Sequence, residues 1–452
     1  MLITLTGDTM LSRPLRAFTE PEYLRLAQWL RDADVSFTNL ETTVRRHDEG
    51  WAVRTMGTPM STDPALLAEL PWLGVDIVSC ANNHATDYGA EGVLATMRHL
   101  QSQGIPFAGI GENLARAAAP AYVESKAGRL GLVAATSFLP PDGRAAHQRP
   151  DSPGRPGVNP IEFQRKFRVP REDLALIRRM DQALGLRAER TRRMKEFFSA
   201  AEVGHDNEEE LKFAGISFGA ADGYGIDMQP SRLDVEQVLR SIREARSQAD
   251  YVVFSYHYHE LWPSGEAGDT VEIDRPATFV EDVARAAIDA GADVVAGHGP
   301  HLTMGIEIHR GKPILYSLGN FIFHNESIDM LPAESYARFG LDHSARPSEF
   351  FDARTDHDRK GFPAAREYWE SYAAQCSFDG DRLSGLTLLP VDMGFGKRRS
   401  QRGRPQQATG DVAQHIVQRL QRLSRRYGTR LEYDGASGLV RVSLDVCAAD
   451  SP

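Results

Sequence analysis

Five times along this chain an apolar run stops abruptly in carboxylate, amide or imidazole residues. That recurrence constrains the fold more than any other feature. The sharpest instance is Gly291-Ala-Asp-Val-Val-Ala-Gly-His-Gly-Pro-His301. A helical stretch runs up to residue 290, residues 294–296 are apolar, and two histidines three residues apart follow on a turn of glycine and proline. Imidazoles at the end of a buried strand can converge on one point, where a neutral ring binds a metal or moves a proton near neutral pH.

The other four clusters repeat the pattern. Residues 2–6 end in Gly7-Asp8-Thr9-Met10, and 35–38 in Asn39-Leu40-Glu41. Residues 75–80 end in Ala81-Asn82-Asn83-His84, with Asp87 three positions on, and 251–256 in His257-Tyr258-His259. Helical spacing lies between them over 21–31, 64–70, 89–103 and 233–247, and a further helix is expected to begin at Asp274 and Pro276. Strand and helix in alternation predict an α/β fold with right-handed crossovers in a largely parallel sheet. Ligands of such sheets bind beyond the C-terminal ends of the strands, so all five clusters should share one crevice. Any one cluster alone has a structural reading as a cap, a surface charge or a turn former.

The alternation breaks between 138 and 230. A stretch rich in proline, glycine and arginine leads into a charged, helical-looking segment over 171–211. The expected organisation is an α/β body of 1–137 and 231–452, with 138–230 as a largely helical insertion serving as lid or substrate reader.

Carboxylate, amide and imidazole donors without thiolate predict one divalent cation of borderline-to-hard character and no organic cofactor. Manganese, iron, zinc, magnesium and calcium all fit. Asp87 is placed to orient the His84 ring, and Asp8 to support His298. The net charge of −10 argues against a general nucleic-acid binder, although a basic run stands at 397–404. The three cysteines match no zinc or disulfide spacing. With no apolar run long enough to cross a bilayer and no leader pattern, the expectation is a cytoplasmic protein without membrane contact.

On these residues the sequence resembles the CapA family of poly-γ-glutamate capsule synthesis proteins, which is related to the calcineurin-like metallophosphoesterases. The likeness rests on Gly7-Asp-Thr-Met-Leu11, Asn39-Leu-Glu41, Ala81-Asn-Asn-His-Ala-Thr-Asp-Tyr-Gly89 and Gly109-Ile-Gly-Glu-Asn113. It continues through Ser255-Tyr-His257, the 291–301 motif and Tyr316-Ser-Leu-Gly-Asn-Phe321. The resemblance implies a four-layer α/β/β/α sandwich of the metallo-dependent phosphatase type. It also implies metal ligation by Asp8, Asn83, His257, His298 and His301, with His84 as proton donor. Two positions depart from the phosphoesterase pattern. Met10 stands where a histidine is expected, and Asn39-Leu40-Glu41 replaces a Gly-Asp motif, making Glu41 the candidate carboxylate there. A thioether is a poor ligand for a hard cation, so a paired-ion clamp on a phosphoryl group would be incomplete.

A soluble branch also looks similar, the lasso-peptide epimerases. The leading expectation is therefore a metal-dependent epimerase of a precursor peptide. His84/Asp87 and Asp8/His298 would exchange a Cα proton, with His259, Trp262 and Asn320 touching the peptide. The alternatives are a metallophosphoesterase and a capsule biosynthesis protein.

Overall fold

The computed structural model describes residues 1–53, 57–197, 207–262 and 272–444. The chain divides into two compact units, one formed by 1–161, 233–260 and 280–452, the other by 162–232 and 261–279.

The larger unit is built on two sheets. In chain order its main elements are β1 (Leu2–Met10), α1 (Pro21–Arg31), β2 (Val35–Leu40), β3 (Ile77–Ser79), α2 (Gly89–Ser102), β4 (Phe107–Ala108), β5 (Ala121–Ser125) and β6 (Gly128–Thr136). There follow α3 (Arg232–Gln248), β7 (Tyr251–His257), α4 (Thr278–Asp289), β8 (Val294–His298), β9 (Ile306–His309), β10 (Lys312–Leu315) and β11 (Asn320–Phe323). The chain closes with β12 (Glu370–Asp379), β13 (Arg382–Asp392), α5 (Gly410–Ser424), β14 (Leu431–Asp434) and β15 (Leu439–Val442). The first sheet has the order β14-β15-β13-β12-β1-β2-β3-β4, with β11 also paired to β1; the second is β9-β10-β8-β7-β6-β5.

Strand periodicity explains the layers. Ile3 and Leu5 of β1, Val35 and Phe37 of β2 and Ala374 of β12 share one apolar cluster with Leu132 of β6, Val253 of β7 and Val294 of β8. The two sheets therefore pack face to face. Alternate residues point the other way. On the far side of the first sheet, Tyr23, Leu26 and Leu30 of α1 and Val93 and Leu100 of α2 join Leu40 and Val78 in a second cluster. On the far side of the second, α3 buries Val238, Ile242 and Ala245 and α4 buries Val280, Val283 and Ala287. At about 1.5–3 kcal/mol for each large apolar side chain fully buried, this matching of faces dominates the choice of fold. The architecture is the four-layer α/β/β/α sandwich that the family resemblance implied.

Two of the expectations need correction here. The sheets are mixed rather than largely parallel: β12, β13, β14 and β15 pair antiparallel, as do the edges β5 and β9. These strands come from hairpins, whose alternation reads the same along the sequence as a crossover strand. The helix expected from 274 starts at Thr278, because Glu272–Pro276 is a strand paired with Leu261–Trp262. The Tyr316–Phe321 motif runs directly into β11 beside β1.

Among its described residues the smaller unit holds two helices, Arg171–Ala183 and Leu186–Phe197, and a four-stranded sheet of Glu210–Phe213, Ile216–Ala221, Phe163–Pro170 and Gly225–Pro230. Residues 138–161 of the segment read as a helical insertion belong to the larger unit, and strands occupy much of the smaller unit. Its small core gathers Val169, Leu174 and Leu211. Among the described residues, no helix is long and apolar enough to cross a membrane.

Candidate metal centre and acid–base pair

Register brings the polar clusters together. In the first sheet Asp8 lies opposite Asn39 of β2 and Asn320 of β11. In the second, His257 of β7 lies opposite His298 of β8. Asp8 can sit this deep because residue 7 is glycine. A Cβ there would stand 1.9 Å from the Gly319 carbonyl, whose oxygen accepts the Asp8 amide at 2.9 Å. The turn of Asn83–Thr86 follows β3 and presents His84. It is pinned by Asn82, whose amide donates to the Leu40 carbonyl at 2.9 Å, and by the Thr43 hydroxyl on the His84 carbonyl at 2.7 Å.

At the centre stands Glu41, fully buried, with neither carboxylate oxygen hydrogen-bonded. Its Oε1 is 3.8 Å from His257 Nε2, 3.8 Å from His301 Nε2 and 4.0 Å from His84 Nε2. Asp8 lies beside it, with Oδ2 3.3 Å from His301 Nδ1 and Oδ1 3.4 Å from His298 Nδ1. The latter contact is long and poorly aligned, so both His298 nitrogens remain without a hydrogen bond, as does His259 Nε2. Donor atoms of Asp8, Glu41 and His301 lie within 4.8 Å of one another, and so do those of Glu41, His257 and His259.

The electrostatics follow from burial. Burial, then the charges of Asp8 and Asp87, push the Glu41 carboxyl well above its usual range. Burial also opposes ionisation of Asp8, but the imidazoles of His298 and His301 beside it outweigh that and hold the carboxyl well below its ordinary value. His257 is held neutral by burial, and His259 is pushed down to about 3 by burial and the nearby His301. A buried carboxylate with no partner costs several kcal/mol unless it keeps a proton or meets a cation. Orphaned oxygens of Glu41 among lone pairs of neutral imidazoles therefore suit a divalent cation. Asp8, Glu41, His257, His259, His298 and His301 are the residues that could hold one.

Other predicted residues take different places. Asn83 Oδ1 is 2.8 Å from His257 Nε2 and so faces the same point, while Asn39 bonds both Asp8 at 2.9 Å and His257 at 3.3 Å. His84 Nδ1 is 2.6 Å from Asp87 Oδ2, which also accepts the Met60 amide at 2.6 Å. Asn320, expected to touch substrate, is buried. Its Oδ1 is 3.0 Å from His301 Nδ1, and its amide donates to the carbonyls of His301 at 3.3 Å and Tyr368 at 2.9 Å. Asn320 therefore positions His301, whose backbone is held at a φ of 60° that a branched or bulky residue reaches only under restraint. His259, also expected to touch substrate, turns its ring toward His301 at 5.6 Å and stacks on Phe138 at 4.1 Å, among the candidate ligands. Trp262 lies in the smaller unit, where the Arg275 guanidinium covers its ring at 3.7 Å. Tyr258 is core, its hydroxyl bonded to the Tyr316 carbonyl at 2.6 Å. Met10 is buried in the apolar cluster beneath α1.

Two contributors escaped the sequence reading. Asn82 was readable in principle from the Asn82-Asn83-His84 run. Phe362, edge-on to His301 at 5.5 Å, comes from an irregular segment with no period to reveal it.

Replacing Asn320 with alanine should leave the fold intact and lower affinity for a divalent ion roughly 10–100-fold, as loss of a ligand-orienting partner does. Titration of the ion-free protein by calorimetry checks this. Unchanged affinity would mean that His301 is not a ligand.

The comparisons with known proteins bear on what such a site serves. Residues 2–325 match the family model described as bacterial capsule synthesis protein PGA_cap. The chain is 32% identical to the uncharacterized protein y4sH of Sinorhizobium fredii over 96% of this chain and 92% of that one. It is 21% identical to the capsule biosynthesis protein CapA of Bacillus anthracis, over 72% of this chain and 60% of CapA. A solved phosphatase of Mycoplasma pneumoniae aligns at 10% identity over 87% of this chain and 88% of its own. Its TM-score of 0.33 is too low to bear on mechanism.

Proposed function

Since the chain belongs to the bacterial capsule synthesis family PGA_cap, we propose that it is a metal-dependent enzyme acting on amide bonds of an anionic poly-amino-acid of the poly-γ-glutamate kind. The observation that carries this reading is the His84–Asp87 pair at 2.6 Å, set beside the Glu41 carboxylate, which has no hydrogen bond, and its ring of imidazoles. When bound, a divalent cation supplies Lewis-acid polarisation of a substrate carbonyl. Asp8, Glu41, His257 and His301 would hold it, with Asn39 and Asn320 fixing their orientation. His84 Nε2, directed toward Glu41, would deliver a proton to the departing amide nitrogen, while Asp87 sets the ring's tautomer and orientation. The carbon–nitrogen bond breaks as an acceptor adds to the carbonyl carbon, water yielding a free carboxylate and amine.

The experiment is incubation of length-defined poly-γ-glutamate with the protein and manganese, zinc, magnesium or calcium, read by mass spectrometry. Metal-dependent new chain ends that disappear in His84→Asn support the reading. Intact polymer under every ion, with an aryl phosphate turned over instead, would replace it with a phosphoesterase.

A second reading, inversion of a peptide Cα centre, draws on the two His–Asp pairs of the site, His84–Asp87 and His298–Asp8. Incubation of candidate peptides in deuterium oxide tests it: Cα deuterium without cleavage favours epimerisation, and absence of exchange discards it.

A further inference from the structure

The basic run at 397–404 plays no part in the metal centre, yet it helps to wall a cleft of about 370 Å³ together with the chain that leaves β1. Arg13, Phe18, His324, Lys397, Arg402 and Arg404 line it, and Glu20 is the single carboxylate among the described lining residues. Arg404 is engaged by Glu20 at 2.7 and 3.0 Å and stacks on Phe18 at 3.7 Å. Arg402 is engaged by Glu326 and Asp358. Two cations are left over. Arg13 donates only to the carbonyls of Arg399, Ser400 and Arg402, and its buried Nε has no partner. Lys397 is exposed and forms no ion pair among the described residues. His324 is buried with its Nδ1 accepting the Ser12 amide at 3.3 Å, so its ring is neutral and adds no charge to the cleft.

Backbone carbonyls hold the Arg13 guanidinium in place, and the carboxylate whose charge acts on it, Glu326, is engaged by Arg402. That arrangement pre-organises a positive charge that draws an anion arriving from solvent. Ser400 and Gln401 add neutral hydrogen-bonding groups at the rim. Position matters as much as charge. Arg13 is five residues beyond Asp8, at most about 17 Å of extended chain. A polymer carrying a carboxylate on every unit could reach both the cleft and the metal centre, whereas a single small anion could not.

We infer that this cleft binds side-chain carboxylates of an extended polyanionic chain, as a subsite separate from the metal centre that retains the polymer between reaction cycles. The inference rests on the polymer reading above and adds a second contact to it. The gain follows from linkage: once one stretch of chain is held, the next engages at high effective concentration.

The test uses the full chain and fluorescence anisotropy of end-labelled poly-γ-glutamate, with monomeric glutamate and inorganic phosphate as competitors. Lys397→Glu is expected to weaken oligomer binding at least tenfold, and Arg13→Gln likewise. Glu20→Gln, which releases Arg404, is expected to tighten it several-fold. This opposite sign cannot come from misfolding. KM for long polymer should rise in Lys397→Glu, with kcat on the shortest cleaved oligomer unchanged. Unaltered binding in Lys397→Glu overturns the inference while leaving His84-dependent turnover, and so the proposed reaction, untouched. Displacement of oligomer by equimolar phosphate also overturns it, since the cleft would then be a phosphate site. Oligomer binding that depends on Lys397 without any polymer turnover upholds the subsite and removes the reaction instead.

Discussion

Glu41→Gln should weaken binding of a divalent ion by well over a hundredfold and abolish the rise in Tm that the ion confers. The glutamate is fully buried, neither of its carboxylate oxygens is hydrogen-bonded, and it faces His257 and His301 at 3.8 Å. Loss of a group that merely orients a ligand costs 10–100-fold, so loss of the central carboxylate should cost more. In the parent protein an ion at a hundred times its Kd stabilises the fold by about 2.7 kcal/mol, and the glutamine variant should show almost none of that.

The pH dependence has a definite sign. Burial and neighbouring negative charges raise the folded-state pKa of Glu41 above its ordinary 4.5. In the ion-free protein its contribution to stability is therefore present in full below 4.5 and lost as pH climbs through the raised value. Ion binding, which needs the ionised form, strengthens over that same range. Scanning calorimetry with and without ion between pH 4 and 8 measures both trends. A glutamine variant that binds as tightly as the parent would remove Glu41 from the centre.

The second large effect concerns proton transfer. His84→Asn should lower kcat 10²–10⁴-fold while leaving ion affinity nearly unchanged, because a positioned acid or base contributes on that order. Asp87→Asn keeps a similar shape but disturbs the ring's tautomer at the 2.6 Å contact, so most of the same loss is expected. The Met60 amide also rests on Asp87, and a thermal melt of Asp87→Asn separates that structural share from the catalytic one. A His84→Asn enzyme with turnover within threefold of the parent would assign the proton to another group.

Much of the site could be read from the chain because it is built from short, strictly local patterns. Asp8, Glu41, His84, His257 and His298 each follow an apolar run that must be a strand, and strand ends in such sheets gather at one edge. The errors came where local pattern is ambiguous. Residues 272–276 carry an aspartate and a proline that suit a helix start, yet they pair as a strand with Leu261–Trp262. Hairpin strands such as β12 and β13 alternate as crossover strands do, so direction was not legible. His259 and Asn320, expected to touch substrate, lie against His301 in the structure; spacing says that a side chain is close and not what it meets.

The sequence by itself determined the α/β character, the ends at which chemistry collects, and the absence of thiolate from the donor set. These follow from period and residue type, which need no knowledge of distant contacts. Only the tertiary structure decided that Glu41 stands between imidazoles from different strands with its oxygens unanswered. It likewise decided that Asn320 holds His301, and that Arg13 meets Lys397 from 384 positions away to form a cationic cleft. Those are facts of burial and of approach between remote segments, set by how two sheets and their loops pack.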